Sequence, residues 1–181
     1  MPKVIETLLP GCLVFEAFSA CDARGSFCKP FSSSWGSAFG SFAAKEFFYS
    51  TSARGVLRGM HLQTGNAAHA KIVFCIEGEI LDVVLDLRQG AGFGASKACR
   101  LSARNRLAIL VPPGLAHGFL TLSESATVGY LVATPHDPAQ DTGVRWNSFG
   151  FAWPPVGTVS SRDANLPRLD DFPPQPETQI P

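Results

Sequence analysis

Short β-forming runs, each closed by glycine, proline or an acidic turn, constrain this chain most. Cys12-Leu13-Val14-Phe15 follows Pro10-Gly11, Lys71-Ile72-Val73-Phe74-Cys75-Ile76 ends at Glu77-Gly78-Glu79, and Ile80 to Arg88 continues beyond it. Further runs lie around Ala98 to Leu101, at Leu107 to Val111, from His117 to Leu120 and from Ala126 to Thr134. Phe47-Phe48-Tyr49 and the segment up to Gln63 have the same character. Strands at intervals of about ten residues, with turn signals between them, predict an all-β sandwich or barrel. One segment departs from this pattern. Residues 32–45 are rich in Ser, Gly and Ala, and Trp35, Phe39 and Phe42 are spaced at four and three, which predicts a short amphipathic helix making core contacts.

At 181 residues the chain fits one domain, 1–181, with a proline-rich tail from about residue 167. Formal net charge is zero, so the electrostatic footprint expected of a nucleic-acid or membrane-surface binder is missing. No run approaches the eighteen or so apolar residues that span a bilayer, and the N-terminus lacks a signal-like apolar core. A cytoplasmic protein is the expectation. The five cysteines are odd in number and show no CxxC spacing, which argues for reduced thiols.

Chemistry concentrates between Gly55 and Lys71, where Arg58, His61, Gln63, His69 and Lys71 fall in one short stretch. In a regular strand Arg58 and His61 point to opposite faces, while His61 and Gln63 share one. A bulge at Gly59 would bring Arg58 round to the face of His61. His117 after Pro112-Pro113-Gly114, Tyr130 within a strand and Asp163 in Ser160-Ser161-Arg162-Asp163 are the other candidates. Each has an ordinary structural explanation: a satisfied strand histidine, a core tyrosine, a helix or turn cap. A metal site built from His61, His117 and Glu77 or Glu79 is a weakened set, because Gln63 stands where a second imidazole would be wanted. No metal is expected.

Arg58-Gly59-Met60-His61-Leu62-Gln63, Lys71, Gly78 to Arg88, Pro112 to Phe119, Tyr130, Gly143-Val144-Arg145-Trp146-Asn147 and Trp153-Pro154 together resemble the dTDP-4-dehydrorhamnose 3,5-epimerase family. The likeness runs from about Asp22 to Asp170, with the motifs in matching order. It implies a double-stranded β-helix, the cupin-type jelly roll, with short peripheral helices, a homodimer and no cofactor. The substrate it implies is a nucleotide diphosphate carrying a 4-keto-6-deoxy sugar, inverted at carbon 3, carbon 5 or both. By motif, His61 is the base, Asp163 its orienting carboxylate, Tyr130 the acid on the opposite face and Lys71 a catalytic cation. Arg24, Phe27, Lys29, Glu46, Arg58, Gln63, His117, Asp141 and Arg162 fall at substrate-binding positions. Other readings of the same residues are a 3,4-ketoisomerase on this scaffold and a non-catalytic sugar-nucleotide-binding cupin.

The chain departs from the family pattern in places. Lys29 stands where an acid is usual, Glu46-Phe47-Phe48 replaces Gln-x-Asn, Leu131 replaces a lysine, and Pro135-His136 replaces an aromatic pair. These departures leave the nucleotide base and the set of inverted carbons open.

Overall fold

The computed structural model describes residues 2–40 and 42–176. Strands β1 (Lys3–Leu9) and β2 (Cys12–Glu16) form a hairpin, followed by a separate ribbon of β3 (Phe18–Asp22) and β4 (Gly25–Lys29). Then come β5 (Glu46–Ala53), β6 (Val56–Gln63), β7 (Lys71–Glu77), β8 (Glu79–Asp86), β9 (Ser96–Ser102), β10 (Leu107–Val111), β11 (Leu115–Thr121) and β12 (Ser125–Val132). Two short strands, β13 (Asp141–Gly143) and β14 (Thr158–Val159), and the four-residue helix α1 (Ser161–Ala164) follow.

They build two opposed sheets, ordered β1-β2-β10-β7-β12-β5 and β13-β6-β11-β8-β9, with β14 added beside β6. This is the jelly roll that the resemblance implies. Strand parity then sorts the side chains. Val73, Cys75, Ile80, Val84, Ile109, Phe119 and Val128 point between the sheets and form the central core. Their neighbours Ile72, Val83, Leu85, Ala108 and Leu110 point outward and are also buried. Two peripheral segments cover them. Phe39 and Phe42 lie over one sheet beside Phe15, while Phe172 with Phe149, Phe151 and Trp153 covers the other. Both faces of each sheet are therefore apolar, which is why the central strands read as continuous apolar runs.

The structure corrects one expectation. Among the described residues of the segment expected as an amphipathic helix, the helical part is a 3-10 turn, Ser33–Ala38, which ends near Gly40 at φ +60°. Serines and glycines are poor helix formers, and packing of Phe39 and Phe42 fixes the segment instead. The start of the proline-rich tail is docked: Phe172 is buried, and Gln175 exchanges backbone hydrogen bonds with Leu87 and Gln89 at 2.7 Å each. Residues 177–181 lie outside the described residues. No helix among the described residues is long and apolar enough to cross a membrane.

Candidate active site

Where the two sheets part, the inner faces of β5, β6, β11 and β12 line a cavity of about 640 Å³. Its walls are the inner-face residues that parity dictates: Glu46, Phe48 and Ser50 from β5, His117 and Phe119 from β11, Tyr130 and Val132 from β12. Strand β6 is irregular at the centre. Against β11 it pairs His61 with His117 but Arg58 with Phe119, so β6 carries one extra residue at Gly59-Met60. This bulge brings Arg58 and His61 to the same cavity. Only glycine fits there. Gly59 has φ +132°, and a Cβ would stand 2.5 Å from the Gly118 Cα.

The bulge also gathers Asp163. One carboxylate oxygen lies 2.7 Å from His61 Nε2, and the other accepts the Gly59 backbone N–H at 3.0 Å. Asp163 is presented by α1, where its own N–H donates to the capping hydroxyl of Ser160 at 3.0 Å. Burial alone would raise the Asp163 pKa, but the bonds from His61, Gly59 and Ser160 hold it below the ordinary carboxylate value. A carboxylate only accepts, so His61 Nε2 carries the proton and Nδ1 keeps a lone pair.

His117 forms a second dyad, its Nε2 donating to Asp82 at 2.7 Å in a fully buried setting. Burial lowers its pKa despite the nearby Asp82 charge, which makes it a neutral hydrogen-bonding wall of the cavity. Lys71 donates to the His61 carbonyl at 3.2 Å. Burial pulls its pKa from 10.5 down to about 8, while Asp82 and Asp141 oppose the drop. Tyr130 is driven the other way, above the ordinary phenol range, chiefly by burial. Its ring stacks on Phe48, with centroids 4.9 Å apart, and meets His117 edge-on at 6.2 Å.

The remaining candidates divide. Arg58 lines the cavity and donates through Nε to Ser52 at 2.9 Å. Arg162 and Asp141 line it as an ion pair at 2.8 Å, and Glu46 accepts the His136 N–H at 3.3 Å. Gln63 lines the wall, but its amide is spent inside the protein. Its oxygen accepts the Asp137 N–H at 2.6 Å and its nitrogen lies 3.2 Å from His69, so it anchors the loop that follows β12.

Arg24, Phe27 and Lys29 are not in this cavity. They sit on the exposed β3–β4 ribbon, which pairs with neither large sheet; Arg24 binds Asp22, and Lys29 lies 5.9 Å from the Phe18 and Phe27 rings. The sequence-suggested metal set is not gathered either: among the described residues no group of His, Cys, Asp and Glu is placed to hold a metal ion. Sequence reasoning missed Asp82, Phe48 and Ser160. Asp82 left one signal, a carboxylate in the middle of the apolar run Ile80 to Leu85.

Comparison with known proteins agrees with this fold. The sequence profile of the dTDP-4-dehydrorhamnose 3,5-epimerase family matches residues 6–171. The chain belongs to that family. The family's enzymes are isomerases, and this chain is one of them. The dTDP-4-dehydrorhamnose 3,5-epimerase of Salmonella typhimurium is 34% identical over 180 residues, covering 94% of this chain and 97% of that protein. A crystal structure of the Legionella pneumophila dTDP-6-deoxy-D-glucose-3,5-epimerase, in complex with dTDP-4-keto-L-rhamnose, superposes with a TM-score of 0.92. It is 27% identical and covers 99% of this chain and 100% of that one. A 3'-monoepimerase from Streptomyces bikiniensis, in complex with dTDP-quinovose, has a TM-score of 0.83 at 32% identity, covering 88% and 84% of the two chains.

Proposed function

We propose that this family member is a cofactor-independent epimerase that inverts carbon 3, carbon 5 or both of a nucleotide-linked 4-keto-6-deoxy sugar. The observation that carries the reading is the His61–Asp163 dyad opening, together with the Tyr130 phenol, onto one cavity beside the cations Lys71 and Arg58. The names and bound sugars of the relatives support the same substrate class.

A hydrogen on a carbon next to a ketone becomes acidic when the developing enolate oxygen is met by fixed positive charge. His61 Nδ1 takes that proton, and the C–H electron pair moves into the ring as the carbonyl becomes an enolate. Asp163 supports the imidazolium. Lys71 stabilises the enolate oxygen: with its pKa lowered to about 8 it is still mostly charged at neutral pH. Tyr130 then protonates the same carbon from the other face, the carbonyl re-forms, and solvent restores both side chains. Burial keeps the phenol protonated until the enolate demands its proton. Arg58 and Arg162 suit the diphosphate, the first from the cavity wall, where Ser52 holds its Nε, and the second from the cavity rim.

Arg24, Phe27 and Lys29 enter this reading through a homodimer. Their ribbon is exposed, with Phe18 and Phe27 each more than half open to solvent, and it would meet substrate in the cavity of a second copy. The test is deuterium incorporation from D₂O, followed by NMR, into dTDP-, GDP- and CDP-linked 4-keto-6-deoxy sugars, beside His61→Ala. Exchange at carbon 3 or 5 with inverted product, lost in His61→Ala, is the expected result. Ketone migration in the product would mark the isomerase alternative, and tight binding without exchange would mark a binding module.

A further inference from the structure

Phe48 takes no part in the chemistry proposed above, yet its ring lies on the phenol that the chemistry uses. It stands directly opposite Tyr130 in the β5–β12 ladder, and the two rings are stacked with 18° between their planes. Its neighbours Phe47 and Tyr49 pack against each other, with Phe47 stacked on Phe74, while Phe48 faces the cavity. His117 meets the same phenol at 78° and is itself held by Asp82. A ring stacked on one aromatic and met edge-on by another is restrained about both χ1 and χ2. Among the described residues, the side-chain hydrogen bonds that place His61, Asp163 and Lys71 run to one another, Gly59 and Ser160 and not to Phe48, so Phe48 can be changed without touching the base.

We propose that Phe48 is a positioning residue for the acid: it holds the Tyr130 hydroxyl on the face of the sugar opposite His61 and thereby sets how often a removed proton is replaced with inversion. This rests on the epimerase reading. Once His61 has taken the proton, the enolate has two fates. The imidazolium can return a proton to the original face, forming the C–H bond from the enolate electron pair and regenerating the ketone with retention. Tyr130 can instead form that bond from the other face, leaving a tyrosinate that solvent reprotonates. The first route is indifferent to Phe48. The second needs a hydroxyl within reach of one carbon, and a misplacement of about 1 Å costs up to ~10²-fold.

The experiment compares wild type, Phe48→Ala, Phe48→Leu and Phe48→Tyr in D₂O, with whichever 4-keto sugar nucleotide the wild type accepts. NMR follows deuterium gained with retention separately from inverted product. In Phe48→Ala and Phe48→Leu, inversion should fall about tenfold or more while total exchange falls less than about threefold, so that exchange per inversion rises. Phe48→Tyr keeps a stacking ring and should keep the wild-type ratio. An unchanged ratio in Phe48→Leu, the variant that preserves volume, overturns the proposal, and it decides the matter alone if Phe48→Ala loses its circular dichroism. A wild type that exchanges no substrate proton overturns the underlying epimerase reading and this proposal with it, an outcome visible before any variant is made.

Discussion

Replacing Lys71 by methionine should make the protein more stable and far less active. In the folded state the Lys71 pKa falls from 10.5 to about 8, because the ammonium is buried at the base of the cavity. Each pKa unit corresponds to about 1.4 kcal/mol, so holding the charge there costs roughly 3 kcal/mol relative to the unfolded chain. Part of the residue still meets the open cavity, and the bond to the His61 carbonyl is lost with the ammonium, which together trim the gain to about 1–2 kcal/mol. For a chain of this length that is a rise of roughly 2–8 °C in midpoint. The sign of the pH dependence follows from the lowered folded value. Between about pH 8 and 10.5 the unfolded lysine binds a proton that the folded one has released, so wild-type stability gains from this group as pH rises through that window. In the unfolded chain the thiols and Tyr130 titrate in a similar range, but they are common to both proteins and cancel in the difference. The assay is urea unfolding of both proteins at pH 7 and pH 10, with proton exchange measured in parallel. The methionine variant should lead at pH 7, lose most of that lead by pH 10, and show exchange reduced ~10²–10³-fold. A variant less stable than wild type at pH 7, or a gap that does not narrow with pH, would refute the burial argument.

Tyr130→Phe should retain solvent exchange at the carbon that His61 reaches while inverted product falls by ~10²-fold or more, read from the same NMR spectra. Asp163→Asn should lower exchange by ~10²–10⁴-fold. Because the Asp163 pKa is held below its ordinary value, its contribution to stability is present above the unfolded carboxylate pKa and is lost as pH falls through the folded one. Acid unfolding curves of wild type should therefore steepen below about pH 4 relative to Asp163→Asn. Asp82→Leu leaves the buried His117 N–H without its acceptor, and denaturant unfolding should show a loss of ~1–3 kcal/mol.

The sequence by itself determined the class of fold and the chemical vocabulary of the site. Both follow from local rules. Apolar runs punctuated by Gly78, Pro112-Pro113-Gly114 and similar turns read as strands, and with Arg58, His61 and Lys71 in one stretch, a bulge at Gly59 is the device that would bring Arg58 to the face of His61. Only the tertiary structure decided which of these groups meet. Asp163 reaches His61 across 102 residues because Gly59 exposes an N–H to its second oxygen. The match of Phe48 to Tyr130, and of Asp82 to His117, depends on the register between strands distant in sequence, which no local pattern encodes. The same cause separates Gln63 from Arg58. Both lie on β6, but neighbouring backbone claims the Gln63 amide, while the Arg58 guanidinium remains at the cavity wall. Arg24, Phe27 and Lys29 sit on a two-stranded ribbon paired with neither large sheet and lie outside this chain's cavity, a separation set by sheet pairing and not by any local pattern.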